Sequence, residues 1–368
     1  MKKYFLLSLV SLNVLVMYGQ AQNETQNYFP EPRIDKRIEL LSIVFRLAGN
    51  QEYNSTAFNS YVQDIYSHFN TYKDHPAVSF ATKMHNENHV AFDAVMKIAW
   101  HIGQPPLFTP KVNFTDKVPE ARWGAENAYK FLELLRDFYI VSDFENFYAE
   151  HSELYQIAVQ KFLPIYEAVN IGWFNQYYGI KPGGSYHVII GLGNGAPSYG
   201  GKIIYSDSTE EVYSILGTWV IDSTDIPIFE MDKYLPTLIH EFNHSYVNPL
   251  VDKYEAQLRK PGKIIFEPLE ENFRQKAYGK WNIMMYESLV RACVIRYILN
   301  HDSYESAKKQ LITETGNGFY WMQGLVNTLY DYEMNRDQYE TMDSFMPVIV
   351  EFFNKVAKES ETMFEIKF

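Results

Sequence analysis

The chain has 368 residues, of which 46% are hydrophobic and 16% aromatic, with a formal net charge of −12 at pH 7. That apolar content builds a large core, in one domain or in two closely packed lobes, and the acidity argues against nucleic acid and anionic membrane surfaces as main partners. The lone cysteine, Cys293, sits in an apolar run, so a disulfide framework is excluded and the thiol reads as a small buried hydrophobe.

The chain opens with an address. Lys2 and Lys3 precede an apolar-rich run from Tyr4 to Met17, and small residues follow at Gly19 and Ala21. The run falls short of the about 20 residues that span a bilayer, so the pattern predicts a secretory signal cleaved after Ala21. No membrane anchor then remains, and the protein works outside the cytoplasm, in the periplasm or secreted. A polar, flexible lead is expected over 22–32.

Residues 33–181 read as a helical region. Ile34, Ile38, Leu41 and Phe45 recur at helical spacing until Gly49-Asn50 stops them. The same pattern returns at 61–72, 90–102, 125–139 and 154–169, with short breaks at His75-Pro76, Gln104-Pro105-Pro106 and Lys117-Val118-Pro119. His85 and His89 are four apart but lack a glutamate directly after the first; flanked by asparagines, they predict a polar helix start before Val90, with metal binding as the lesser alternative.

The pattern changes at 182. Tyr186–Ile190 and Lys202–Tyr205 are short, apolar and β-branched, and between them five glycines and Asn194-Gly195 signal a turn, so two antiparallel strands are predicted. Gly217–Ile221 offers a third strand; 212–216 is ambiguous. Then comes LPTLIHEFNHSYVNP, residues 235–249, read as a helix with Pro236 in its first turn and Pro249 closing it. Residues 252–280 read as charged and irregular. An apolar helix over 281–299 ends a core region spanning 182–300, and helices at 324–332 and 346–358 make up a C-terminal region, 301–368, packed on that core.

Within 235–249, His240-Glu241-x-x-His244 places two imidazoles on one helical face, where they hold one metal ion, and puts Glu241 where it takes a proton from water at the metal. Catalytic zinc takes three protein ligands and leaves one position open. Asp252, Glu255, Glu267, Glu270, Glu271 and Glu287 are the candidates for the third. Glu270 and Glu271 lie in a charged stretch that reads as solvated. Glu287 lies among Met284, Met285, Leu289 and Val290, where an ionised carboxylate is costly without a cation. A metal supplies one, and Arg291, one turn on, supplies another, either behind Glu287 or facing substrate. Asn248 extends the His240 and His244 face by one turn and hydrogen-bonds a ligand or ends the helix near Pro249.

His240-Glu241-x-x-His244 with a glutamate on a later helix resembles the gluzincin branch of the zincin metallopeptidases. More narrowly, LIHEFNHSYVNP, RIELLSIVFRLAGNQEY at 37–53 and YESLVRA at 286–292 resemble a secreted bacterial family, domain of unknown function 4932, from about residue 33 onward. The broad resemblance implies a predominantly helical α+β fold with a zincin-like core: a small twisted sheet beside the motif helix, whose edge strand binds extended peptide through backbone hydrogen bonds. It implies a zinc metallopeptidase with His240, His244 and Glu287 as ligands and Glu241 as general base, acting on a peptide or protein. Asn194 and Gly195 then line the cleft or form an ordinary turn, and Tyr286 and Tyr320 are candidates to stabilise the oxyanion. The rival expectation is a secreted peptide- or glycan-binding protein with a vestigial or structural zinc site.

Overall fold

The computed structural model describes residues 28–180, 184–276 and 278–363. The expected signal, 1–21, and most of the polar lead lie outside the described residues. The N-terminal half is helical: α1 (Lys36–Leu47), α2 (Asn59–Phe69), α3 (Pro76–Asn88), α4 (Asp93–Trp100), α5 (Ala125–Val141), α6 (Phe144–Glu150), α7 (Ser152–Ala168) and α8 (Ile171–Tyr178). Three strands follow, β1 (Gly184–Gly191), β2 (Tyr199–Ile204) and β3 (Glu210–Gly217). The rest is α9 (Met231–Lys253), α10 (Glu255–Phe266), α11 (Glu270–Gln275), α12 (Trp281–His301), α13 (Tyr304–Gly316), α14 (Met322–Met334) and α15 (Met342–Met363). The fold is α+β and predominantly helical.

The sheet corrects the expected hairpin. Its order is β1-β3-β2, with β1 parallel to β3 and β2 antiparallel to β3. The glycine-rich stretch after β1 is therefore a crossover to the far edge, and the ambiguous 212–216 segment is the central strand; Gly217 ends it instead of starting a strand. The cause is long-range. Glu39 of α1, fully buried, accepts hydrogen bonds from the backbone N–H groups of Leu192 and Gly193 at 2.8 and 3.0 Å, and from Tyr61 Oη at 2.8 Å. These bonds turn the chain away from β1, which a local turn rule does not anticipate.

The helical bounds bring further corrections. α9 begins at Met231 and runs on past Pro249 to Lys253, so Pro236 stands in the second turn and neither proline ends the helix. Residues 255–266, expected to be irregular, form α10 despite Pro261 and Gly262. A Cβ at Gly262 would stand 2.4 Å from the Trp281 ring, so this glycine lets α12 approach. His85 and His89 mark the end of α3, not the start of a helix: His89 is its left-handed C-cap, and His85 Nδ1 lies 3.0 Å from Asn50 Nδ2.

Buried apolar residues form one continuous cluster from Ile34 to Ala357. α9 crosses beneath the sheet and packs on α12, and α13 and α14 pack on α12 in turn. Two glycines set how closely β2 approaches. A Cβ at Gly200 would stand 1.8 Å from the carbonyl oxygen of Glu241, and one at Gly201, on the other face, 2.4 Å from the Trp100 ring. β2, an edge of the sheet, is thereby laid directly on the motif helix.

Candidate metal centre

On α9 the four-residue spacing places the His240 and His244 rings together, their Nε2 atoms 3.0 Å apart. α12, packed against α9, brings in Glu287 from the other side, with Oε2 3.6 Å from His240 Nε2 and Oε1 3.4 Å from His244 Nε2. Of the carboxylates weighed for the third position, only Glu287 reaches. Asp252 accepts the Tyr286 hydroxyl, Glu255 pairs with Arg259, Glu270 pairs with Arg274, Glu271 holds Gln275 and Glu267 is exposed. His240, His244 and Glu287 are the one group of metal-ligating side chains gathered this closely among the described residues, all donor atoms within 4.8 Å.

The geometry fits a tetrahedral ion. Metal–ligand bonds of about 2.0–2.1 Å at tetrahedral angles separate donor atoms by about 3.3 Å, and the three observed edges of 3.0, 3.4 and 3.6 Å bracket that value. The charges of the three donors are coupled. Burial, opposed by Glu287, pushes His240 down to about 3, leaving a neutral imidazole. Burial disfavours charge on Glu287 too, but His240, Arg291 and His244 outweigh it and hold the carboxyl well below its usual range. Burial likewise opposes charge on His244; there the Glu287 hydrogen bond and the carboxylates of Glu287 and Glu241 prevail and raise it to about 9. A metal ion held by these three donors would take the place of that proton, since a ligating imidazole is neutral.

The supporting contacts orient the donors. His244 Nδ1 faces Asn248 Oδ1 at 3.1 Å, and donation to that oxygen leaves the Nε2 lone pair aimed at the site. Arg291 Nε and Nη2 lie 3.1 and 3.0 Å from Glu287 Oε2, so this arginine stands behind the ligand. Its Nη1 donates to Glu314 Oε2 at 2.6 Å and its Nη2 to Tyr278 Oη at 2.7 Å. Glu314, 2% exposed, is held in turn by Gln310 and Asn317. Neither Glu314 nor Tyr278 stood out in the sequence, since each lies in a polar stretch with nothing local to mark it as buried.

Glu241 is 6% exposed and, among the described residues, has no cationic side chain in hydrogen-bond contact. Burial, with the Glu287 charge adding to it, pushes its carboxyl up to about 7, against the pull of His244, Arg291 and the Gly200 N–H. A carboxyl poised near neutrality beside a metal position is suited to proton transfer. The other expected residues lie elsewhere. Asn194 is buried in the crossover, where Gly195 has a φ of 71° and abuts Ser55. Tyr286 directs its hydroxyl to Asp252, and Tyr320 sits against Ser360.

Residues 32–352 match the family described as Domain of unknown function (DUF4932). The chain belongs to that family. No curated protein and no solved structure matches it. The matched span includes both α9 and α12, which build the centre. No helix among the described residues is long and apolar enough to cross a membrane.

Proposed function

We propose that this protein is a zinc-dependent metallopeptidase of gluzincin type, acting on peptide or protein substrates outside the cytoplasm. The observation that carries the reading is the triangle of His240, His244 and Glu287 with the buried carboxyl of Glu241 on the same helix. A structural metal site has no use for that carboxylate, and its burial is costly unless it does work. Zinc, when bound by the two histidines and Glu287, supplies a Lewis acid that acidifies water and polarises the scissile carbonyl.

The protein's own groups do the rest. Glu241 accepts the proton of the attacking water and delivers it to the amine as the C–N bond breaks. Asn248 and Arg291 fix the orientation of His244 and Glu287. The outer edge of β2, which pairs with no further strand among the described residues, runs past Glu241 at Gly200 and offers its backbone groups beyond Gly200 to an extended chain. The extracellular address rests on the Lys2 to Ala21 signal pattern.

The test compares wild type with Glu241→Gln for zinc content and for hydrolysis of a quenched fluorescent peptide library. Both proteins are expected to hold one zinc, and only wild type to cleave. Zinc retained by wild type with no cleavage under any condition sinks the peptidase reading and leaves a binding protein with a structural site.

A further inference from the structure

On the side of α9 away from His240 lies a cavity of about 700 Å³ that none of the metal ligands lines. One wall is a row across the sheet, Tyr186, Val212 and Lys202, one residue in register from each strand. The opposite wall is the later part of α9, chiefly Ser245 and Tyr246, and α8 adds Asn175. Two polar groups on these walls have no hydrogen-bond partner among the described residues: Ser245 Oγ and Asn175 Nδ2, in residues only 3% and 6% exposed. A buried donor without an acceptor is costly, and a ligand acceptor removes that cost.

Charge narrows the ligand. Lys202 Nζ already bonds both carboxylate oxygens of Glu210, at 2.9 and 3.0 Å, and Asp343 at the rim is paired with Lys253. The cavity thus calls for an uncharged group with a hydrogen-bond acceptor. Position narrows it further. Ser245 lies one helical turn beyond Glu241, and Lys202 lies two strand residues beyond Gly200, which touches Glu241. A peptide added to the free edge of β2 presents its residue opposite Lys202 to the same face of the sheet, the face this cavity opens on.

We infer that the cavity is a specificity subsite for peptide, selecting an uncharged amide side chain, Gln or Asn, whose carbonyl oxygen accepts from Ser245 Oγ and Asn175 Nδ2. The volume exceeds one side chain, so neighbouring residues of the peptide enter with it. The class of ligand rests on the peptidase reading; the demand for an uncharged acceptor does not.

The probe is a set of fluorescein-labelled octapeptides in an alanine background, each with one Gln at a different position, together with the matching Glu series. Binding to the zinc-free, full-chain Glu241→Gln protein is read by fluorescence anisotropy, so neither metal nor turnover is involved. One or two Gln positions should bind at least about tenfold tighter than the all-alanine peptide and than their Glu counterparts. Ser245→Ala should weaken those peptides about fivefold, as the loss of one hydrogen bond does. Ile180→Trp, at a rim position 41% exposed, should abolish the positional preference. Affinity that is indifferent to the position of Gln, or a preference that survives both substitutions, overturns the subsite. A protein that cleaves nothing still answers this test, whereas cleavage without any Gln preference keeps the peptidase and discards the subsite.

Discussion

Removing the guanidinium of Arg291 should destabilise the metal-free protein more than any surface charge change. In that state Arg291 is the cation shared by two buried carboxylates, Glu287 with a side chain 9% exposed and Glu314 with one 3% exposed, and it touches both within 3.1 Å. Arg291→Met keeps most of the volume, strands Glu314 and leaves Glu287 with His244 alone as its close counter-ion. Breaking a buried pair in this way costs about 3–5 kcal/mol. Unfolding entropy of about 2.1 cal/mol/K per residue over about 330 ordered residues gives roughly 0.7 kcal/mol/K, so Tm should fall by about 4–7 °C. Glu314→Gln should cost less, since the amide oxygen can still accept from Arg291 and Asn317 and no buried negative charge is left there. The double variant should be at least about 1 kcal/mol more stable than the sum of the two singles, because Glu314 no longer lacks a counter-ion once it is neutral. The assay is a thermal melt followed by circular dichroism in EDTA. Arg291→Met melting within about 1 °C of wild type, or strictly additive costs in the double variant, would refute the argument that Arg291 neutralises the two carboxylates.

Three further outcomes follow from the same structure. Zinc measured by mass spectrometry should be lost in His240→Ala and in Glu287→Ala but retained at one per chain in Glu270→Ala and Glu271→Ala; full retention in Glu287→Ala would assign the third ligand elsewhere. Gly200→Ala, whose Cβ would press into the Glu241 carbonyl, should cost about 2–3 kcal/mol in urea melts, whereas Gly279→Ala, with nothing within 4 Å, should change stability by less than about 0.5 kcal/mol. Burial opposes charge on Glu211, but Lys111 and the hydroxyls of Tyr213 and Tyr205 outweigh it and hold its pKa at about 2, below the ordinary 4.5. The unfolded chain therefore binds the extra proton, and the stabilisation is complete above pH 4.5 and lost as the pH falls through 2. The stability gap between wild type and Lys111→Met should narrow over that window, and a constant gap would contradict the pairing.

What the sequence made legible is what depends on near neighbours. Two histidines four apart need only a helix to meet, and a carboxylate inside WNIMMYESLVRACVIRYIL needs a cation whatever the rest of the chain does; both arguments lead to atoms that the fold brings within 3.6 Å. The connectivity of the sheet was not legible, because the turn chemistry of Asn194-Gly195 competes with hydrogen bonds from Glu39, about 150 positions earlier in the chain. The same division explains the long interval between His244 and Glu287. In sequence it weighs against a shared site, yet α10 and α11 fill it as a helical excursion, with α10 packed on α12 and α15, that returns the chain alongside α9. The distance along the chain therefore sets no limit on the site: what Glu287 requires is that α12 pack on α9, and apolar residues buried on α12, such as Met284 and Leu289, favour that packing whatever the loop length.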